Sequence, residues 1–160
     1  MKNKLYLDTS IPSSYFDNSK PIRQLITQKW FENDATDYDI YISVITIMEI
    51  EKLKNQLKKE NIKELTINYK MKILNFNNDA KILGDKYLLQ GAIPASEPED
   101  AYHIAIATVN QIDLLASWNF KHIVSINPIK KIHEVNLKNG YNLIEIGSLE
   151  FLGGFKYGNL

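Results

Sequence analysis

The chain contains no cysteine, which excludes disulfides, thiol nucleophiles and cysteine-ligated zinc and fits a reducing compartment. It has a single arginine, Arg23, and no surplus of either charge, with 19 Lys and Arg against 19 Asp and Glu. A net charge of zero supplies no global field to draw in nucleic acid, so any such contact needs a local basic patch. No apolar run approaches the roughly 20 residues of a membrane span. The opening MKNKLYLDTS has too short an apolar run for a signal peptide. A cytoplasmic protein without membrane association is therefore expected. Neither a G-x-G-x-x-G nor a Walker sequence supports a nucleotide-binding fold, and there is no internal repeat, linker or low-complexity segment.

What is present is an ordinary globular composition: 160 residues, 44% apolar and 24% charged, enough for one domain with a substantial core. We expect a domain over residues 1–147 and a loosely ordered, glycine-containing tail over 148–160. In the tail, Leu149, Phe151 and Leu152 are the residues expected to pack. The organising stretch is Pro98–Asn119, PEDAYHIAIATVNQIDLLASWN. It predicts a buried helix running into a buried strand. Ala101, Ala105 and Ala107 are small enough to press the helix onto a sheet, and Tyr102, Ile104, Ile106 and Val109 leave almost no solvent face. Polar residues remain at its two ends, Asp100 at the helix entrance and Ser117 and Asn119 where the strand stops.

Four strands are expected, at Leu5–Leu7, Tyr38–Ser43, Ile112–Ser117 and Asn142–Ile146. Thr9 and Ser10 are expected to cap a short helix to Phe16, and Pro21 to open a helix to about Asn33. The polar segment from Asn33 to Asp39 reads as a loop. Ser43 predicts a helix from Val44 to about Leu57, with Ile45, Glu49, Leu53 and Leu57 on one stripe. Lys58–Glu64 is charged, and Leu65–Phe76 looks helical, with a strand possible at Thr66–Tyr69. Further helices run from Asn77 or Asn78 to Gly91 and from Pro128 to Asn139, the latter stopped by Gly140. Strands alternating with helices predict a parallel sheet covered on both faces, with a site beyond the carboxyl ends of the strands. Asp8, Ser117 and Asn119 lie at such ends, and Glu49 and Asp100 sit on helices that can converge there.

Asp8, Glu49, Asp100 and Asn119 make an oxygen-only set, which suits Mg²⁺ or Mn²⁺. Clustered carboxylates repel, and a divalent cation reverses that penalty. A metal so held can activate water and neutralise charge on a phosphodiester. Each residue also has a plain structural explanation. Asp8 can cap the next turn, Asp100 suits a helix's first turn, Ser117 and Asn119 are common turn residues, and Glu49 can pair with a cation such as Arg23. His103 and His122 are more often structural than ligands. The functional interpretation rests on their coincidence at expected strand ends.

Leu-Tyr-Leu-Asp8-Thr-Ser, Ser43-Val-Ile-Thr-Ile-Met-Glu49-Ile, Pro98-Glu-Asp100-Ala-Tyr-His-Ile-Ala-Ile-Ala and Leu114-Leu-Ala-Ser117-Trp-Asn119-Phe together resemble the PIN domain. They are most similar to the VapC-like ribonuclease toxins of type II toxin–antitoxin modules. The ordered set spans nearly the whole chain. The resemblance implies an α/β, PIN-like three-layer sandwich with a central parallel sheet of four to five strands and helices on both faces. It implies a Mg²⁺- or Mn²⁺-dependent endoribonuclease, with Asp8, Glu49 and Asp100 as metal ligands and Ser117 beside them. Asn119 stands where many members carry a fourth Asp, one negative charge fewer. An RNA substrate, a cognate antitoxin and a homodimer are the implied partners. His103 and the run Trp118–His122 resemble one branch of the family. Among basic residues, Lys121 is expected to touch phosphate and Thr9 to touch substrate, with Lys52–Lys59 and Lys121–Lys131 as the densest runs. One alternative is a catalytically weak PIN-like module that binds RNA or protein. A phosphotransferase using Asp8 as nucleophile would want a second Asp two residues on, where Ser10 stands.

Overall fold

The computed structural model describes residues 1–152; the last eight residues of the expected tail lie outside the described part. The element order is β1 (Asn3–Leu7), α1 (Ser10–Tyr15), α2 (Pro21–Asn33), a 3₁₀ turn (Ala35–Asp37), β2 (Tyr38–Ser43), α3 (Val44–Glu51) and α4 (Gln56–Asn68). It continues with β3 (Lys72–Leu74), α5 (Asn78–Leu89), α6 (Pro98–Val109), β4 (Leu114–Ala116), α7 (Ile126–Lys138) and β5 (Glu145–Gly147). All strand pairs are parallel, in the order β3-β2-β1-β4-β5. The chain moves outward from β1 through β2 to β3, then returns to the other side of β1, so the switch point lies between β1 and β4.

Alternation along β1 builds the three layers, because successive side chains point to opposite faces. Leu5 and Leu7 enter a cluster with Trp30 and Phe31 of α2 and Leu65 of α4. Tyr6 enters the opposite cluster, with Leu83 and Tyr87 of α5, Ile104 of α6 and Ile132 of α7. Helix α6 is covered on both sides as expected: Ala101, Ala105 and Ala107 are fully buried. Its close approach to α5 needs a glycine, since a Cβ on Gly84 would lie 2.4 Å from Tyr102 Cδ1. Leu149 is buried against the α2 side, whereas Phe151 is exposed. Among the described residues, no helix is long and apolar enough to cross a membrane.

The structure corrects several boundaries. The helix expected to reach Leu57 ends at Glu51, because the Asn55 side chain accepts from Lys58 N–H and caps a new helix. Glu51 then reaches forward to Lys63 and Lys59 on α4, and Leu57 is exposed. Lys58–Glu64 is thus helical, not merely charged surface. The supposed helix to Phe76 stops at Asn68, and the left-handed Lys70 (φ 52°) turns the chain into the short strand β3. Strand β4 is shorter than expected at both ends, β5 starts later and ends at Gly147, and α7 begins at Ile126. Thr9 makes no side-chain cap on α1; its hydroxyl is used elsewhere.

Candidate active site

Leu7 pairs with Ala116, so the next residues, Asp8 and Ser117, emerge side by side at the switch point, the usual place for a site in such sheets. Asp8 is 4% exposed. Its Oδ1 accepts from Ser10 N–H at 3.1 Å and Ser10 hydroxyl at 2.5 Å, and its Oδ2 from Ser117 hydroxyl at 2.5 Å. The same two serines accept from the next loop: Trp118 N–H donates to Ser10 Oγ at 2.8 Å and Asn119 N–H to Ser117 Oγ at 2.9 Å. Both hydroxyls therefore fix the carboxylate and the 117–119 loop at once. Burial pushes the Asp8 carboxyl above its ordinary value, against the lowering pull of His103, Ser10 and Ser117.

Glu49 reaches the same rim from the last turn of α3. Its partner is neither Arg23 nor a lysine. His103 Nε2 lies 2.6 Å from Glu49 Oε1, and Thr9 hydroxyl donates to that oxygen at 3.1 Å. Behind it, His103 Nδ1 lies 2.6 Å from Tyr6 hydroxyl, which donates to Ser43 Oγ at 2.7 Å. Tyr6, Ser43 and His103 are buried, so a polar chain runs from the sheet interior to the mouth. Burial pushes Glu49 up, but the hydrogen bond and charge of His103, with Thr9, outweigh it and hold the carboxyl below its ordinary value.

Asp100 lies in the first turn of α6, half-buried, one helical turn before His103. Asn119 Nδ2 donates to its Oδ2 at 3.1 Å, while Asn119 Oδ1 accepts from His122 N–H at 2.9 Å. Burial first, then the negative charge of Asp8, push Asp100 up to about 7; Glu97 and Glu49 add to this and His103 opposes it. Ser117 and Asn119 link Asp8 to Asp100, while Thr9 and His103 hold Glu49; among the described residues the three acids do not form a cluster that could hold one metal ion.

The sequence matches the PIN domain over residues 5–120, more than half of the chain, from β1 to just past Asn119. The chain belongs to the PIN domain family. The full sequence finds no match among curated proteins. The PIN fold is shared with VapBC2 from Rickettsia felis, bound to a DNA fragment from its promoter, at a TM-score of 0.56 and 14% identity over 90% of this chain and 97% of the other. It is shared with the sarcin–ricin loop cleaving toxin VapC20 from Mycobacterium tuberculosis, at 0.56 and 11% identity over 74% and 92%.

In this PIN domain, Asp8, Ser117, Asn119, Asp100 and Glu49 all line the strand-end rim, as does Thr9. Lys121 is exposed two residues beyond Asn119. Of the Lys52–Lys59 run, Lys59 is engaged by Glu51. Arg23 lies instead over the Trp118 and Phe120 rings. Sequence reasoning left His103 and Tyr6 without a role. The signal was there: His103 follows Asp100 by three residues on one helix face, and Tyr6 carries a hydroxyl into the buried run Leu5–Leu7, where it needs a partner.

Proposed function

We propose that this PIN domain is a divalent-metal-dependent endoribonuclease hydrolysing RNA phosphodiester bonds, and that it is the toxin of a toxin–antitoxin pair. The observation that carries this proposal is a pair of carboxyls at the strand-end mouth, Asp8 and Asp100, linked through Ser117 and Asn119, where burial and the charge of Asp8 push Asp100 up to about 7. A carboxylate so placed is disfavoured until a cation joins it. Among the described residues, no three His, Cys, Asp or Glu side chains form a ready-made metal cluster. Mg²⁺ and Mn²⁺ keep several waters and are usually held through one or two carboxylates. Asp8 and Asp100 would hold the ion, with Glu49 reaching it through water. When bound, such an ion supplies an activated water and neutralises charge on the phosphodiester.

The chain's own residues do the positioning. Ser10 and Ser117 fix both oxygens of Asp8. His103 and Thr9 hold Glu49 at one oxygen, Oε1. Asn119 orients Asp100 without adding a fourth negative charge. Lys121, exposed two residues beyond Asn119, and Thr9 would touch the phosphate. Membership of the family and the VapC neighbours support the toxin assignment. With it come a cognate antitoxin, a homodimer and a cytoplasmic setting.

A second function, RNA or protein binding with weak catalysis, is favoured by one observation: both oxygens of Asp8 are already taken by serine and backbone donors. The two are separated by incubating a fluorescent RNA with the wild-type chain and with Asp100→Asn, in Mg²⁺, Mn²⁺ or EDTA. The nuclease proposal expects wild-type cleavage with either metal, none in EDTA, and a loss on the order of 100-fold or more in the variant. Wild-type protein that binds the RNA yet leaves it intact in both metals supports the binding module.

A further inference from the structure

We propose that Arg23 and Phe120 form a subsite for one unpaired nucleotide of an RNA substrate, with the base on the Phe120 ring and a phosphate on the Arg23 guanidinium. This rests on the ribonuclease proposal and names the residues that would hold one nucleotide of its RNA.

Three observations meet here. The first is position. Phe120 follows Asn119 directly, and its neighbour Trp118 is held to the site by its backbone N–H on Ser10 Oγ, the same hydroxyl that donates to Asp8. A ring at residue 120 is therefore fixed relative to the carboxylates. The second is exposure. Trp118 is 4% exposed and anchored by its indole N–H to Thr27 hydroxyl at 3.0 Å. Phe120 is 45% exposed, so much of its ring is left uncovered by Trp118 and Arg23. A large apolar ring left in water beside a polar site offers its face to a flat partner. Nucleic-acid bases have one, and stacking on an aromatic side chain tolerates every base.

The third is the guanidinium. The only arginine of the chain has its Cζ 5.3 Å from the Trp118 ring centroid and 5.7 Å from that of Phe120. The two rings meet edge-on, so the cation sits in their notch. Among the described residues it has no ion-pair partner; Glu150 lines the same groove without bonding it. Arginine keeps its planar donors free when it stacks on rings, and those donors match phosphate oxygens in pairs. Lys20 lines the same groove, of about 370 Å³, and adds positive charge. A base and its phosphate thus find a ring and a fork of donors side by side. A paired base has its faces covered within the helix, so the subsite favours unpaired nucleotides.

The test is binding of a fluorescein-labelled 12-nucleotide RNA, single-stranded or annealed to its complement, to the full-length chain in EDTA across a salt series. The wild type should bind the single strand at least tenfold more tightly than the duplex. Phe120→Ala should weaken single-strand binding on the order of tenfold and leave duplex binding unchanged. Phe120→Trp should restore it, and the added tryptophan fluorescence should be quenched as RNA binds. Arg23→Ala should lower the salt slope by about one. Thermal melts check that each variant is folded. A wild type that binds RNA while Phe120→Ala and Arg23→Ala bind equally well overturns the subsite alone, as does an unquenched Phe120→Trp. A wild type that binds neither RNA at low salt takes the ribonuclease proposal down with it.

Discussion

Asp8 and Asp100 are the same residue type at the same mouth, and their surroundings could hardly differ more. Asp8, at the strand end, is almost wholly buried and receives three short-range donors from two serines. Asp100, in the first turn of α6, is half-exposed and receives one amide. Burial raises both, but only at Asp8 does a built set of hydrogen bonds oppose it. A carboxylate with three hydrogen bonds is part of the frame and keeps one of its roughly four lone pairs for a cation. One that is desolvated, faced by another acid and bonded once keeps its charge available to an incoming cation.

Substitutions can break that comparison, and the largest effect belongs to Asp8. Asp8→Ala strands Ser10 N–H, the half-buried Ser10 hydroxyl and the buried Ser117 hydroxyl, and should cost roughly 2–3 kcal/mol in a urea melt of the metal-free protein. A neutral Asp8→Ala would mean that the serine network is not structural. Next comes Tyr6→Phe. It removes the hydroxyl between His103 and Ser43 without changing shape, and should cost about 1–2 kcal/mol by the same melt. No loss there would show that the chain from Ser43 to Glu49 is not worth its burial.

The opposite sign is expected at Asp100. Its carboxyl holds a proton more tightly in the folded chain than in the unfolded one, where the ordinary value is 3.8. Stability from this group is therefore full below about pH 4 and is lost as pH rises through about 7. Asp100→Asn should stabilise the metal-free protein by about 1–2 kcal/mol at pH 8, after discounting for solvent screening, and by almost nothing at pH 4. Melts that show equal stabilisation at both pH values would assign the gain to packing instead of charge.

Much of this was legible in the sequence, for identifiable reasons. The strands Leu5–Leu7 and Tyr38–Ser43 were apolar runs with clear ends, and Asn77, Gly91 and Gly140 marked helix limits correctly. Asp8, Ser117 and Asn119 were read at strand ends, and Glu49 and Asp100 on the helices where the structure has them. The break at Lys52–Asn55 was hidden because lysines and leucines suit a continuous helix, and only the Asn55 cap and the Glu51 ion pairs decide against it. Strand β3 is three residues long and leans on β2, so its periodicity is too brief to read. At the site, the residue types were visible but their partners were not. Glu49 looked in need of a cation, and the chain's one arginine was a natural candidate. The partner is His103, brought in by α6 packing on the sheet, a contact that separates its members by 54 positions.

The most direct test of the central claim is a Mn²⁺ titration followed by electron paramagnetic resonance, on the full chain and on Asp100→Asn. If Asp8 and Asp100 together hold the ion, the wild type binds Mn²⁺ at pH 8, binding weakens as pH falls through about 7, and the variant loses at least tenfold in affinity. Equal Mn²⁺ binding by both proteins, or none by the wild type at pH 8, would contradict the account.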